Sequence, residues 1–322
     1  MERFQWKAVA MLMSSFQTIL FLDADAFPVL KPDGILAKGA EPLASTGLIT
    51  WPDLWTPTSS HFFYKIAGNI TVPDIGARAT TEAGIMVLDK ARHTQSLLLA
   101  FYYNFYGPSY YYPLLSQGAP GEGDKETFLH GELVLNELSS RRNNESSSSS
   151  ASIGGGSRLS NLLTKGSQRS AYWDVKKMPE VHGRVVRGRF KGMFMQQMDP
   201  MEDYRAVTKV RDAQKAGQNQ SEPLPTAAQT LEEGWRETNK ARFMFFHHSG
   251  VKLDFTGTDK RLRATDFTGK WLRLWGDPGW LIERTGRDVE KELWKGVTRL
   301  YCFETDLDDV CRKMQEFYFA VY

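Results

Sequence analysis

The sequence has no long apolar run. An early one, residues 8–13, spans six residues, and polar residues follow it directly. A membrane-spanning helix needs about 18 or more apolar residues, and the apolar core of a signal peptide needs about 7–15. We therefore expect neither a targeting segment nor a membrane anchor within this sequence.

An excess of charge of one sign is also nearly absent. Lys and Arg number 40 and Asp and Glu number 38, so the formal net charge is +2. A nucleic acid or an anionic membrane selects for a strongly basic surface, and we expect neither as a partner. The 322 residues are 41% hydrophobic, which is enough to bury a sizeable core in one large domain or two.

Cysteine is scarce, with only Cys302 and Cys311 in the chain. They could form one disulfide or remain two buried thiols, and a single pair does not decide the redox compartment. Asn-x-Ser/Thr glycosylation motifs begin at Asn69, Asn144 and Asn219. Such motifs also occur by chance, so they give only weak support for a secretory lumen.

What the sequence does contain is an Asp-x-Asp motif behind a short apolar segment. Residues 19–22 have the length and composition of a buried strand, and Asp23 and Asp25 follow directly, with Pro28 close behind. Two carboxylates at this spacing can converge on one Mg²⁺ or Mn²⁺ ion, and such an ion can also bind phosphate oxygens. The alternative is a turn in which the aspartates only bond the local backbone.

Further acidic, basic and histidine side chains occur where predicted strands end or helices begin. The candidates are Glu82, Glu122, Asp124, Lys125, His247, His248 and Lys252. Each has an ordinary alternative, such as a surface lysine, an exposed glutamate or a hydrogen-bonded core histidine. Neighbours in a strand point to opposite faces, so at most one of the two histidines can face a site. We favour His247, which alternates with Phe243 and Phe245.

Predicted strands alternate with predicted helices along the chain, which indicates an α/β fold with ligands at the carboxyl edge of the sheet. Asp25 and His247 are distant in sequence, so we expect the two strands that precede them to end at one edge of a shared sheet. The glycine-rich residues 118–123 either form a plain loop or bring the backbone close to a ligand. Trp51, Trp55 and residues 110–112 are either core or a platform for stacking on sugar rings.

Residues 139–158 consist almost entirely of Ser, Asn and Gly with a few charged side chains. Such a segment has little apolar surface to bury against the entropy cost of ordering. The composition predicts a disordered insertion in a surface loop.

Several blocks resemble the fungal Golgi α-mannosyltransferases of the Mnn type. Two of them are distinctive: Trp51-Pro52-Asp53, and the run from Gly121 to Phe128, which reads Gly-Glu-Gly-Asp-Lys-Glu-Thr-Phe. The blocks occur in the family's order and cover residues 21–30, 48–55, 81–90, 117–128, 196–200 and 247–253.

The resemblance implies a GT-A glycosyltransferase fold, a Rossmann-like mixed sheet flanked by helices. It also implies transfer of mannose from GDP-mannose to a mannose hydroxyl of a mannan or glycoprotein glycan, with α-1,2 linkage, retention and Mn²⁺. Family members act in the Golgi lumen as type II membrane proteins. Because Asp23 lies so near the start of this sequence, we expect a single, partial domain over residues 1–322, without the anchor and the first nucleotide-binding portion.

Residue roles follow from the same resemblance. The metal would be bound by Asp25, Asp23 and one of His247 and His248. The donor would contact Asp23, Gly84 and Lys252, with the lysine on the diphosphate. The candidate catalytic residues beside the mannose are Glu82, Glu122 and Asp124.

Two other functions remain open on the sequence. An inactive fragment or pseudoenzyme would retain the fold without a nucleotide pocket. A haloacid-dehalogenase-like phosphatase would use Asp23 as nucleophile and Asp25 as acid and base. That family has Thr or Val two residues after the second aspartate, where this chain has Phe27.

Overall fold

The structure is a computed structural model with a mixed α/β architecture, which confirms the predicted class. It describes residues 3–53, 57–73, 80–119, 121–149, 183–187, 193–217, 242–248, 268–273, 275, 277–303 and 308–322. The chain divides into two compact units. The first comprises residues 1–23, 33–182 and 200–241, and the second comprises residues 24–32, 183–199 and 242–322.

The described residues form seven strands and eleven α-helices. The strands are β1 (Thr18–Leu22), β2 (Ala26–Pro28), β3 (Leu48–Pro52), β4 (Thr81–Asp89), β5 (Gly183–Arg187), β6 (Met193–Met198) and β7 (Phe243–His248). The helices are α1 (Trp6–Met13), α2 (Asp33–Leu36), α3 (Leu43–Thr46), α4 (His61–Ile66), α5 (Lys90–Phe105), α6 (Tyr112–Ser116), α7 (Thr127–Ser149), α8 (Pro200–Gly217), α9 (Pro278–Thr285), α10 (Val289–Tyr301) and α11 (Asp308–Val321).

A three-stranded antiparallel sheet, in the order β1-β4-β3, lies in the first unit. Its central strand β4 is buried over its first eight residues, so both faces of this strand are covered. Leu22 of β1 pairs with Ile85 of β4, so the chain leaves β1 opposite the middle of β4. Trp51 of β3 is fully buried, which assigns it to the core rather than to a sugar-stacking platform.

Helices α5 and α7 approach closely within the first unit. A Cβ atom placed on Gly131 of α7 would lie 2.8 Å from the backbone oxygen of Ser96 in α5. Nearby, the buried amide of Asn104 donates to Thr127 Oγ1 at 2.7 Å and accepts from the Tyr112 hydroxyl at 2.7 Å. Each buried polar atom in this network is hydrogen-bonded, so the network fixes how the helices pack.

The C-terminus of α3 is bound by two side chains of α5. Arg92 donates to the backbone oxygens of the last turn, at 2.8 Å for both Ala44 and Ser45, and His93 Nε2 lies 2.8 Å from the Thr46 oxygen. These contacts satisfy carbonyls that have no partner inside the helix. The helix ends at Gly47, whose φ of +72° is the left-handed conformation typical of a helix C-cap.

The second unit contains a four-stranded sheet in the order β2-β7-β6-β5, in which every pair is antiparallel. One face of this sheet packs aromatic rings against Trp275. The Phe27 ring stacks on Trp275 with centroids 5.2 Å apart, and Phe246 meets it edge-on at 5.3 Å.

The C-terminal helices of the second unit share a charged cluster and a disulfide. Arg273 binds Asp288 through two hydrogen bonds, and Glu290 accepts from the Trp275 backbone N–H at 3.0 Å. Cys302 and Cys311 form a disulfide with Cα atoms 4.6 Å apart, which confirms the first of the two alternatives for these cysteines.

Helix α7 covers residues 139–149, the first part of the segment predicted to be disordered, and residues 150–158 lie outside the described residues. Within this stretch Arg141 binds the turn after α4, donating to the Gly68 oxygen at 2.9 Å and to the Asn69 oxygen at 2.7 Å. The disorder prediction used only the low apolar content of the segment, which does not reveal polar contacts of this kind. Within the described part of the chain, no helix combines the length and the apolar content needed to cross a membrane.

Candidate functional site

The expected single sheet for the Asp-x-Asp strand and the histidine strand is not what the structure shows. β1 belongs to the three-stranded sheet, whereas β7 belongs to the four-stranded one. The chain turns after β1 and starts the short strand β2, and it is β2 that pairs with β7. The expectation of a shared sheet is wrong because β2, a three-residue strand that ends in proline, is too short to be recognised from its sequence pattern.

Asp25 and His247 nevertheless lie together, within the second unit. Ala26 of β2 pairs with His247 of β7, and the His248 backbone N–H donates to the Asp25 oxygen at 2.8 Å. This register places His247 Nε2 3.3 Å from Asp25 Oδ1. Asp25 is buried and His247 is partly exposed. A carboxylate and an imidazole at this distance can share a proton or bind one cation.

The two neighbouring histidines point to different surroundings, as strand alternation predicts. His248 is buried, and its ring centroid lies 6.4 Å from that of Trp275, on the aromatic face of the sheet. His247 is the histidine at Asp25, which is the arrangement favoured from the sequence. The structure therefore does not bring His248 to the carboxylate.

Asp23 lies in the first unit, at the end of β1. Its backbone N–H donates to the Gly84 oxygen at 2.8 Å, which continues the β1–β4 ladder by one bond. Its carboxylate lies 3.1 Å from Lys7 Nζ, and the same ammonium lies 3.0 Å from Asp124 Oδ2. Asp23 and Asp124 are thus joined by a lysine of α1 that the sequence analysis did not select.

The three side chains of this ion cluster, Lys7, Asp23 and Asp124, differ in their exposure to solvent. Asp124 and Lys7 are buried, whereas the Asp23 side chain is 32% exposed. Burial raises the pKa of Asp124 against the opposing effect of Lys7. Burial alone would lower the pKa of Lys7, but Asp124 and Asp23 outweigh it and raise that pKa, so the lysine is charged at neutral pH.

The Trp-Pro-Asp and Gly-Glu-Gly-Asp-Lys-Glu-Thr-Phe motifs meet in the first unit. Lys125 Nζ lies 3.0 Å from Asp53 Oδ2, and both side chains are mostly buried. Glu126 Oε1 accepts the Thr81 backbone N–H at 2.7 Å. This bond fixes the first residue of β4, directly before the buried Glu82. The two motifs therefore brace the strand that carries a candidate catalytic glutamate.

Of the remaining site residues predicted from the sequence, one lies in an exposed loop and two lie outside the described residues. Glu122 is exposed and accepts the Gly118 backbone N–H at 3.1 Å, so it closes its own loop. Lys252 and Trp55 lie outside the described residues.

Sequence reasoning missed Lys7 and His130. Lys7 lies one helical turn before the buried Met11, so a charge on the apolar side of α1 was the available signal. His130 follows Glu126 by four residues in α7, and its Nδ1 lies 3.2 Å from Glu126 Oε2. That spacing places the two side chains on one helix face, a pattern that could have been found.

Comparison with known proteins finds similarity to one protein family over the first part of the chain. Residues 1–76 and 71–154 match the family described as "Mannosyltransferase putative". No solved structure matches the chain.

Curated relatives match almost the whole chain. Alpha-1,2-mannosyltransferase MNN21 of Candida albicans is 30% identical over 342 residues, which cover 93% of this chain and 45% of the relative. Alpha-1,2-mannosyltransferase MNN5 of Saccharomyces cerevisiae is 28% identical over 360 residues, 94% of this chain and 54% of the relative.

A shorter match has higher identity: alpha-1,2-mannosyltransferase MNN24 of Candida albicans is 41% identical over 155 residues, 39% of this chain and 22% of the relative. The chain spans about half the length of MNN21 and MNN5. The first 154 residues therefore resemble a mannosyltransferase family, and most of the chain is similar in sequence to fungal alpha-1,2-mannosyltransferases.

Proposed function

We propose that this chain takes part in transferring mannose from GDP-mannose to a mannose hydroxyl of a mannan or glycoprotein glycan. The proposal extends to α-1,2 linkage, retention at the anomeric carbon and a GT-A arrangement of the fold. The observation that carries it is the distance of 3.3 Å between His247 and Asp25, the second aspartate of the Asp-x-Asp motif, in a chain similar to alpha-1,2-mannosyltransferases.

The donor set of this site fits a divalent cation. Asp25 offers a carboxylate oxygen and His247 an imidazole nitrogen, and Asp23 stands two positions before Asp25 in the chain. Carboxylate oxygens suit Mn²⁺, whereas imidazole nitrogens bind several divalent transition metals, so the choice of Mn²⁺ rests on the family resemblance. Bound there, the ion would neutralise charge on a diphosphate leaving group, which is the main demand of glycosyl transfer from a nucleotide sugar.

Protein groups supply the remaining roles in this proposal. Asp25 and His247 would hold the cation, and Lys252 and the backbone around Gly84 would contact the donor. Glu82 is buried in β4, where a carboxylate can orient sugar hydroxyls without competition from water. Asp124 is already bound to Lys7, so we assign it to positioning rather than to proton transfer.

We further propose that the protein works in the Golgi lumen. The Cys302–Cys311 disulfide supports an oxidising compartment. A fluorescent fusion of the full-length protein in a fungal cell should co-localise with a Golgi marker, and a uniform cytosolic signal would contradict the assignment.

The central test is a transfer assay with the purified chain, GDP-mannose, an α-mannobiose acceptor and Mn²⁺. We expect mannotriose, with the new linkage identified by NMR.

Asp25→Asn and His247→Ala should each lower the rate by about 100-fold, since each removes a group that stabilises developing charge. His61→Ala is the matched control, because His61 is exposed on α4. If wild-type protein binds Mn²⁺ but neither transfers mannose nor hydrolyses GDP-mannose, the chain is a pseudoenzyme.

A further inference from the structure

Lys7 has an unusually complete set of partners for a lysine. Its ammonium lies 3.1 Å from Asp23 Oδ2 and 3.0 Å from Asp124 Oδ2, and it donates to the Ala83 oxygen at 2.7 Å. An ammonium group carries three N–H donors, so three acceptors saturate it. This arrangement fixes the lysine in one place within the first unit.

The burial of the group argues that the lysine is there for these contacts. Removing an ammonium from water is costly unless nearby acceptors and negative charges replace its hydration. Lys7 is 9% exposed, and its neighbours Ala8 and Met11 belong to the core. An apolar residue could fill the same position in α1 if packing were the only requirement.

The cluster of Lys7, Asp23 and Asp124 is closed to solvent at Lys7 and Asp124 and open to solvent at Asp23. The Lys7 and Asp124 side chains are each 8% exposed, whereas that of Asp23 is 32% exposed. The ammonium therefore approaches the Asp23 carboxylate from the protein interior, and solvent reaches the same carboxylate from outside.

We propose that Lys7 is a positioning residue that orients Asp23 from the buried side and competes for its carboxylate with the divalent cation. This inference rests on the proposed function, because it assigns Asp23 to the cation site. Asp124 has the complementary role: it shares the ammonium and so holds Lys7 in place.

Opposite effects on binding and turnover follow from this arrangement. A positive charge beside a carboxylate weakens the attraction of that carboxylate for a second cation. Without Lys7, Asp23 should bind a cation more tightly, but its carboxylate should lose the orientation that turnover needs. A lysine that only stabilises the fold would change neither property in a folded variant.

The experiment compares Mn²⁺ affinity by titration calorimetry with kcat in the mannose-transfer assay. Lys7→Met leaves two carboxylates without their counter-ion and can lower the amount of folded protein. The decisive comparison is therefore Asp124→Asn against Lys7→Met combined with Asp124→Asn, in which the buried charge of Asp124 is absent from both proteins. Lys65→Met is the matched control, since it removes an exposed lysine of α4.

We expect the combined variant to bind Mn²⁺ about tenfold more tightly than Asp124→Asn, because unit charges a few ångströms apart at a partly exposed site interact at that order. Its kcat should fall by about tenfold or more relative to Asp124→Asn. Lys7→Arg should retain part of both wild-type values, and Lys65→Met should retain all of them.

The outcomes separate the two proposals. Equal Mn²⁺ affinity and equal kcat in the decisive pair would show that Lys7 is only structural. Mannose transfer by the wild-type protein would still support the proposed function in that case. If wild-type protein binds Mn²⁺ but transfers no mannose, the proposed activity fails and the paired affinities still decide the role of Lys7. Absence of Mn²⁺ binding by wild-type protein overturns both.

Discussion

Gly47 is the residue whose identity the structure constrains most directly. Its φ is +72°, and a Cβ atom there would lie 2.5 Å from Nε2 of His93. Gly47→Ala should therefore combine backbone strain with a clash and lower the free energy of unfolding by about 2–4 kcal/mol. Urea denaturation followed by circular dichroism measures the change.

A second glycine separates the two causes. Gly39 has a φ of +81°, but no atom lies within 4 Å of the position its Cβ would occupy. Gly39→Ala should cost only the strain, about 1 kcal/mol. Equal losses at Gly39 and Gly47 would show that the contact with His93 does not matter.

The His93–Glu132 pair makes stability depend on pH. His93 Nε2 faces the Thr46 oxygen and Nδ1 faces Glu132 Oε2, both at 2.8 Å, and neither partner can donate. The imidazole therefore carries both protons. Burial alone would lower the pKa of His93, but the bond to Glu132 outweighs it and raises that pKa. Burial likewise opposes ionisation of Glu132, and His93 outweighs it and lowers the pKa of Glu132.

The sign of the pH effect follows for each group. His93 binds its proton more tightly when folded, so its contribution is complete below the unfolded pKa of 6.5 and is lost as pH rises through the folded value. Glu132 contributes fully above 4.5, and that contribution is lost as pH falls through its lowered folded pKa. Unfolding free energies measured from pH 2 to 9 should show both losses. In Glu132→Gln the loss at acid pH should disappear, and the loss as pH rises through the His93 pKa should shrink. An unchanged pH profile in that variant would contradict the pairing.

At the scale of elements, the contact between α5 and α7 depends on the absence of a side chain. A Cβ atom on Gly131 would lie 2.8 Å from the Ser96 oxygen and 3.3 Å from the Ala100 nitrogen, both backbone atoms that cannot rotate away. Gly131→Ala should destabilise the protein by about 1–3 kcal/mol by forcing the helices apart.

Gly296 of α10 is the control, because it is exposed with open space around its Cβ position. Gly296→Ala should stabilise by about 0.5–1 kcal/mol, the gain in helix propensity; the same sign for both variants in thermal unfolding would refute the packing argument.

The disulfide joins α10 to α11 across a sequence separation of 9 residues. Closing so short a loop in the unfolded chain should contribute about 2–3 kcal/mol by the chain-entropy model. The double variant Cys302→Ser with Cys311→Ser should lower the stability of the C-terminal helices by that amount. Wild-type protein in dithiothreitol should behave like the variant, and a variant that matched oxidised wild type in thermal unfolding would show that the link contributes nothing.

For the whole molecule, neither unit is continuous in sequence. Three stretches build each one, and the second unit includes residues 24–32 from near the start and residues 242–322 from the end. A chain ending at residue 241 would lose β7, which pairs with both β2 and β6. Two exposed strand edges promote association, so light scattering should detect aggregates of the shortened chain. A monomeric product whose circular dichroism retained the strand signal would contradict the interleaved arrangement.

Local elements were largely predictable because their apolar patterns are strong. The apolar run at residues 19–22 predicts β1, and the apolar residues 83–88 predict most of β4. The helix α5 that follows β4 ends at Phe105, just before Gly107 and Pro108, which commonly end helices. The choice of His247 over His248 also came from pattern alone, since alternation in β7 separates the two side chains.

Pairing between distant strands was not predictable in the same way. The three residues of β2 contain no run or alternation long enough to identify a strand, yet β2 is what brings Asp25 to His247. The ion cluster at Lys7 depends on three residues from separate parts of the chain, and no local pattern shows that they meet. Hydrophobic periodicity records which side of an element is buried, but it does not record the partner.

The interleaved course of the chain has a consequence for gene recombination. A single crossover between the genes of two relatives, at any position between residues 33 and 241, takes β2 from one parent and β7 from the other. The pair Ala26 and His247, and with it the contact of Asp25 and His247, would then be assembled from two lineages. Functional hybrids should therefore be recovered only from parents that match at this strand pair, or from exchanges with two junctions.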